Sequence, residues 1–316
     1  MNRFAAWSLG KKLVDTEGRY ALVVGGQVDS PRKPQILTNV CLDVASVVPA
    51  AWQPQEMWDR FVCSGGWWLL DKRGQRIPSP WKGGAAATSY VVAWDQIPRM
   101  ALVQTVRAMR EYCHKHGSEL YVDGIWRRPW AAAWQELVDL QKWNAVAEAI
   151  GEAMRGAGCQ SWLGWYTSWA VASKMKWVKL EGFRFGPRFG GGWGGDKLCW
   201  GNWWDDYLNH PVMKLERAGI TPIIEAIPDR GWDVDLQCDY IRMAVVTACL
   251  ADRALLAVHF PGDWASPIWT VDHERAMRLG DPTAPAELHD DGRWARKFDH
   301  GFVWLDPIAC TSGIEV

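Results

Sequence analysis

The amino-acid sequence predicts a single (β/α)8 barrel, and three observations support this prediction. The chain has 316 residues, which is close to the usual size of one such barrel. Short β-type runs alternate with helical stretches from one end of the chain to the other, which predicts a parallel sheet. The sequence contains eight of these runs, enough for the sheet to close into a barrel. No linker divides the chain, so one domain over residues 1–316 is expected.

The predicted elements follow one another in order along the chain. The strands cover about 20–24, 36–43, 89–93, 119–125, 161–166, 177–183, 220–227 and 254–260. The clearest helix covers 97–116, because apolar residues recur there at helical spacing and Gly117 favours a C-terminal stop. Another helix is predicted at 240–251, with Asp239 as its N-terminal cap. A closing strand is expected near 296–307.

Composition and charge exclude several classes of protein. A net charge of -1 without a basic stripe argues against a nucleic-acid partner. No apolar stretch is long enough for a membrane span, and the N-terminus does not resemble a secretory signal. A cytoplasmic location or a place in a virus particle is therefore expected, and an oligomer or larger assembly stays open. The eight cysteines form no CxxC pair, which favours free thiols over a disulfide framework.

Tryptophan is the compositional outlier, with 24 residues. Many of these lie in glycine-rich or polar surroundings, where an exposed indole is costly unless it packs against or binds something. Flat aromatic rings suit the apolar face of a sugar, but tryptophans in loops could equally plug the top of a barrel. The candidates for substrate binding are Trp67, Trp68, Trp126, Trp165, Trp193, Trp204 and Trp264.

Acidic residues follow four of the predicted strands, at the end where barrel enzymes place their active sites. These residues are Asp43, Asp123, Glu181 and Glu225. Asp123 ends an apolar strand, where an acid is costly to bury without a partner or a function. An ion pair with Arg127 or Arg128 is the structural alternative for Asp123.

Glycosidic cleavage requires two carboxyl groups, one acting as an acid and the other as a base or nucleophile. Asp123 and Glu181 are the predicted pair, with Glu225 in reserve. Asp43 is expected to shape the site or to pair with a base. His259, at the end of the eighth predicted strand, either binds substrate or is a hydrogen-bonded residue of the barrel rim.

Two other segments partly match known motifs, but the sequence around each lacks what the motif requires. Gly190, Gly192 and Gly195 match GxGxxG formally, but they lie in a glycine run rather than between a strand and a helix. His273-Glu274 begins like a zinc-binding helix, but Met277 stands where the second histidine is needed. The sequence therefore predicts neither a metal nor an organic cofactor.

Four segments together are similar to a known family. They are 67–77 with 81–84, then 122–126, then 180–183, and finally 278–282 with 296–307. On these segments the chain resembles the hypothetical glycoside hydrolases with a TIM-barrel catalytic domain. It departs from that pattern where Arg127-Arg128 replace a second acid and where Asp306 replaces an asparagine. The resemblance implies a barrel fold, action on a polysaccharide, and catalytic positions at Asp123 and Glu181.

The leading prediction is therefore a glycosidase that cleaves a poly- or oligosaccharide with two carboxyl groups. One alternative is a non-catalytic carbohydrate-binding barrel, as part of a larger assembly such as a virus particle. Another is a structural barrel without a ligand, its top plugged by tryptophans. The sequence does not distinguish retention from inversion, because that depends on the separation of the two carboxyl groups.

Overall fold

The computed structural model describes residues 4–7, 12–15, 17–25, 27–50, 53–79, 88–123, 125–126, 128–129, 131–161, 167–180, 211–260 and 263–316. These residues form a mixed α/β protein whose main strands pair in parallel. The chain divides into two compact units, residues 1–35 with 179–316 (unit 1) and residues 36–178 (unit 2). None of the helices in these ranges is both long enough and apolar enough to cross a membrane.

Strands and helices alternate along much of the chain. The strands are β1 (Ala5–Trp7), β2 (Lys12–Val14), β3 (Leu22–Val24), β4 (Gln27–Asp29), β5 (Gln35–Cys41), β6 (Val44–Ser46), β7 (Ser89–Val91), β8 (Glu119–Asp123), β9 (Gly158–Ser161), β10 (Trp177–Leu180), β11 (Thr221–Ala226), β12 (Leu255–Phe260), β13 (Asp263–Pro267), β14 (Glu287–Leu288), β15 (Trp294–Phe298), β16 (Gly301–Asp306) and β17 (Thr311–Glu315). The helices are α1 (Gln55–Gly65), α2 (Arg99–Lys115), α3 (Ala132–Gln135), α4 (Leu140–Ala153), α5 (Trp169–Ala172), α6 (Pro211–Arg217), α7 (Val234–Leu250) and α8 (Val271–Arg278).

Unit 2 is built on parallel strands with helices beside them. β5 pairs in parallel with β8, and β8 pairs in parallel with β9. α2 lies against β8 and forms where apolar residues recur at helical spacing; it buries Leu102, Val106 and Met109. Gly117 follows this helix with φ +74, a left-handed conformation that glycine adopts without a steric penalty. The predicted helix and its stop are confirmed.

The predicted third barrel strand, at 89–93, is wrong as a parallel strand. β7 pairs antiparallel with β6, and Trp68 and Pro78 form further antiparallel bridges to the same segment. Two buried apolar residues of this segment, Val91 and Ala93, form a small cluster with Leu69. Ile77, Trp134, Leu137 and Val138 pack against that cluster.

Unit 1 contains a parallel strand that sequence analysis missed. β1 pairs in parallel with β3, and a bridge from Phe4 to Leu256 connects the start of β1 to β12. β12 pairs in parallel with β11 and antiparallel with β13. The short run Ala5–Trp7 is too brief to stand out by periodicity, which is why it was not predicted.

Helix α7 lies between the parallel strands of unit 1 and a C-terminal antiparallel sheet, and nearly all residues of its second half are buried. Asp233 caps the helix by accepting a hydrogen bond from the Leu236 N–H at 2.7 Å. The prediction that Asp239 caps this helix is wrong, because the helix begins at Val234 and Asp239 lies within its first two turns.

The C-terminal sheet has the strand order β14-β15-β16-β17 and packs on α7 through β16 and β17. The closing strand predicted near 296–307 is in fact a hairpin of β15 and β16, with Asp299 and His300 forming the turn. Both strands are short and alternate buried with exposed residues, as expected of a sheet with one face covered.

Candidate active site

Three side chains of unit 1 meet at one point in the protein interior: Lys179 from β10, Glu225 from β11 and His259 from β12. β11 pairs with β12 so that Glu225 lies beside Ala257. Because side chains alternate along a strand, His259 projects from the same face as these two residues. Helix α7 packs against both strands. The cluster therefore brings together side chains from adjacent strands of unit 1.

The cluster is almost completely removed from solvent. Lys179 is 3 % exposed, and Glu225 and His259 are 0 % exposed. Lys179 Nζ donates a hydrogen bond to Glu225 Oε1 at 3.0 Å. His259 Nε2 lies 3.3 Å from the same oxygen, in a geometry that does not form a hydrogen bond. Both basic groups thus contact a single oxygen of the carboxylate.

The electrostatic surroundings favour an ionised Glu225. Burial alone would raise the pKa of this carboxyl group, because a charge is poorly solvated in the interior. The Lys179 ammonium group, together with His259, outweighs that effect and lowers the pKa of Glu225 below its ordinary value. Glu225 is therefore a carboxylate near neutral pH.

Three polar atoms of the cluster have unused hydrogen-bonding capacity. Among the described residues, Glu225 Oε2 and both ring nitrogens of His259 are buried and have no hydrogen-bond partner. Buried polar atoms in folded proteins are nearly always bonded, so unbonded ones indicate a position for a ligand group or a bound water. The pairing of β12 with β13 shifts register between His259 and Phe260, and such bulges often re-aim a side chain next to an active site.

Asp123 and Asp43 lie in unit 2. Asp123 is the last residue of β8, is half-buried, and aligns with Cys41 of β5. Asp43 lies between β5 and β6, where its carbonyl oxygen accepts a hydrogen bond from the Val92 N–H at 2.9 Å. Asp123 thus occupies the predicted strand end. Its pairing with a second carboxyl group stays a prediction, because Glu181 lies outside the described residues, as does Arg127.

The tryptophans predicted to bind substrate fall into two groups. Trp165, Trp193 and Trp204 lie outside the described residues, and nothing is described of the Trp264 side chain. Trp67, Trp68 and Trp126 lie within unit 2. Trp67 lies 4.6 Å from Phe61 between ring centroids, and the Arg76 guanidinium group lies 5.0 Å from the Trp68 ring. Because Trp68 is 4 % exposed and Trp126 6 % exposed, neither offers a free ring face, and their sugar-binding role stays a prediction.

Lys179 is the member of the cluster that sequence analysis missed. It stands in the run Trp177-Val178-Lys179-Leu180, where every neighbour is buried. A lysine inside an apolar strand needs an acidic partner, and that requirement could have indicated a carboxylate on an adjacent strand.

No group of three or more potential metal ligands occurs among the residues that the structure describes. The cluster itself provides one carboxylate, one imidazole and one ammonium group, and an ammonium group repels a cation. Its chemistry is that of proton transfer and of an ionised carboxylate.

Comparison with known proteins adds no assignment. No model of a known protein family matches the chain, and no curated protein matches it. The resemblance to glycoside hydrolases therefore rests on the four sequence segments alone.

Proposed function

We propose that the protein is a glycoside hydrolase in which Glu225 supplies the ionised carboxylate. The observation that supports this assignment is a fully buried carboxylate, paired with Lys179 through one oxygen while the other oxygen has no partner in the described part of the chain. An ionised carboxylate with an available oxygen is what either mechanism of glycoside cleavage requires of its second acid.

The chemistry of the free oxygen differs between the two mechanisms. In a retaining enzyme, Glu225 Oε2 bonds to the anomeric carbon as the glycosidic C–O bond breaks, and water later cleaves the new bond. In an inverting enzyme, Oε2 removes a proton from water while the water oxygen bonds to the anomeric carbon. In both, a second carboxyl group gives its proton to the departing oxygen. The sequence predicts Asp123 and Glu181 as catalytic residues, and substitution of each tests that prediction.

A carbohydrate suits the unused atoms of the cluster. A sugar hydroxyl group both donates and accepts hydrogen bonds, so neighbouring hydroxyls could donate to Glu225 Oε2 and bond to His259 Nδ1. The four sequence segments that resemble glycoside hydrolases point to the same class of substrate. No cofactor is needed for this reaction.

The proposal includes a (β/α)8 barrel as the complete fold. Parallel strand pairs in each unit and helices between the strands support it. Glu225 and Asp123 lie at or next to the carboxyl-terminal ends of their strands, the end at which barrel enzymes hold their catalytic groups.

A panel of glycans tests the proposed function. Wild-type protein should hydrolyse at least one glycan, and Glu225→Gln should lower kcat by about 10²–10⁴-fold, the usual contribution of such a group. Asp123→Asn and Glu181→Gln identify the acid, since only the true partner should show a comparable loss.

Glu216→Gln is the matched control for Glu225→Gln. Glu216 is also a buried glutamate of unit 1, but its oxygens bind only backbone N–H groups of the turn before β12. Its substitution should leave kcat within about twofold of wild type, as expected of a residue outside the reacting groups. Unchanged turnover in Glu225→Gln would remove the proposed mechanism.

The complete burial of the cluster favours one competing function, a structural barrel without a ligand. A glycan array would then show no binding by the wild type, and no glycan would be cleaved. In that case Glu225→Gln would change stability but would have no turnover to alter.

A further inference from the structure

We propose that Lys179 is a positioning residue for Glu225, holding Oε1 so that Oε2 is the oxygen that reacts. The inference rests on the proposed glycosidase function and extends it to a residue that does not itself touch the substrate. It follows from the different contacts of the two carboxylate oxygens.

The geometry assigns separate roles to those oxygens. Oε1 receives the hydrogen bond from Lys179 Nζ and lies 3.3 Å from His259 Nε2. Oε2 is equally buried and has no partner among the described residues. A carboxylate can rotate about its terminal torsion, which has a broad, roughly two-fold profile, unless one oxygen is held. Lys179, which is 3 % exposed, restrains Oε1 through this hydrogen bond from the neighbouring strand.

The position of Lys179 also keeps Glu225 in its reactive state. Lys179 from β10 and His259 from β12 are the basic groups that face Glu225 within ion-pair distance in the described part of unit 1. A carboxyl group buried without a cation binds a proton, and a protonated carboxyl group can neither attack carbon nor remove a proton from water. Loss of Lys179 should therefore raise the pKa of Glu225 as well as release Oε1.

A carboxyl titration tests the pair without requiring a substrate. The protein is labelled with glutamate carrying ¹³C at the side-chain carboxyl carbon, and the Glu225 signal is identified by its loss in Glu225→Gln. In the wild type this signal should remain at its ionised position at pH values where exposed glutamates have already titrated. In Lys179→Met it should titrate at least about one pH unit higher, which is a tenfold change in proton affinity.

Lys176→Met is the matched control. Lys176 is exposed, and its ammonium nitrogen lies 4.3 Å from the centre of the Trp177 ring. This variant should leave the Glu225 titration unchanged. If Lys179→Met fails to fold, the wild-type titration still decides, since a Glu225 that is protonated at neutral pH would overturn the inference.

A pH–rate profile on a hydrolysed glycan separates this inference from the proposed function. The acidic limb of kcat should move to higher pH in Lys179→Met, with KM changed less than kcat. If the wild type hydrolyses the glycan and the two acidic limbs coincide, Lys179 does not position Glu225, although the glycosidase assignment stands. If the titration behaves as expected but no glycan is cleaved, the ion pair is established and the proposed function fails.

Discussion

Unit 1 buries two glutamates whose carboxylate oxygens differ in their hydrogen bonding. Glu216, on α6, accepts hydrogen bonds from the backbone N–H groups of Asp252, Arg253 and Ala254, so both of its oxygens are bonded. Glu225 is paired through Oε1 and has no described partner for Oε2. The first arrangement completes a turn, whereas the second leaves hydrogen-bonding capacity in the interior.

The difference distinguishes a structural buried charge from a candidate catalytic one. Leaving a buried polar atom unbonded typically costs about 1–3 kcal/mol, which a purely structural site has no reason to retain. The pKa values differ in direction as well. Burial raises the pKa of Glu216 despite its three backbone donors, whereas Lys179 and His259 lower that of Glu225.

The largest stability effect should come from Arg296, which binds the same segment after α7 as Glu216 does. This buried side chain donates to the carbonyl oxygens of Leu250 at 3.1 Å and Ala251 at 2.7 Å, and to Asp252 Oδ1 at 2.8 Å. Arg296 lies on strand β15, and it thereby provides hydrogen-bond donors for the carbonyl groups at the C-terminal end of α7. Arg296→Met should lower the free energy of unfolding by about 2–4 kcal/mol, because these buried carbonyl groups lose their donor. Urea denaturation measures the change.

Arg293→Met provides the comparison for Arg296→Met on the same sheet. Arg293 pairs with Asp291, and both side chains are about half exposed. Its substitution should cost no more than about 1 kcal/mol, as is typical of surface ion pairs. Equal losses in the two variants would show that the contact with α7 has no special structural role.

A smaller loss of stability is expected for Glu216→Gln. The glutamine offers one acceptor oxygen to three N–H donors, which should cost about 1–3 kcal/mol. Because the pKa of Glu216 is raised in the folded state, its favourable contribution is largest below the ordinary value of 4.5 and is lost as the pH rises through the folded-state pKa. The destabilisation in the variant should therefore be greater near about pH 4 than near about pH 7.

Urea denaturation of wild type and Glu216→Gln across this pH range tests whether the destabilisation falls or grows as the pH rises. A destabilisation that grows as the pH rises would show that the backbone donors dominate and that burial does not raise the pKa of Glu216. Glu225 has the opposite linkage, because its lowered pKa provides stability above the ordinary value and loses it as the pH falls.

Sequence patterns predicted the regular elements better than the site. Periodicity located α2 and the strands β8, β11 and β12, because each is a distinct apolar run bounded by polar or glycine residues. It missed β1 and misassigned β7, since short strands show too few residues for a period to be recognised.

The candidate site was predicted only in part for a different physical reason. Glu225 and His259 were recognisable as polar residues at strand ends, which is a property of one strand at a time. Lys179 is part of the site only through its ion pair with Glu225 on the adjacent strand, and the distance between its ammonium group and Glu225 Oε1 depends on how the strands pair. Burial of the tryptophans is similarly a tertiary property, and composition cannot distinguish a ring in the core from one in a binding site.

The smallest stability effect in this comparison should come from His259, although it is 0 % exposed. Neither ring nitrogen forms a hydrogen bond in the described part of the chain, so an apolar side chain of similar size would lose only the electrostatic contact with Glu225 Oε1. His259→Leu should therefore change the free energy of unfolding by less than about 1 kcal/mol, and a gain in stability would fit a residue retained for function. Urea denaturation beside Arg296→Met measures the contrast. A loss as large as that of the arginine variant would make the Glu225 cluster structural and remove the distinction between the two buried glutamates.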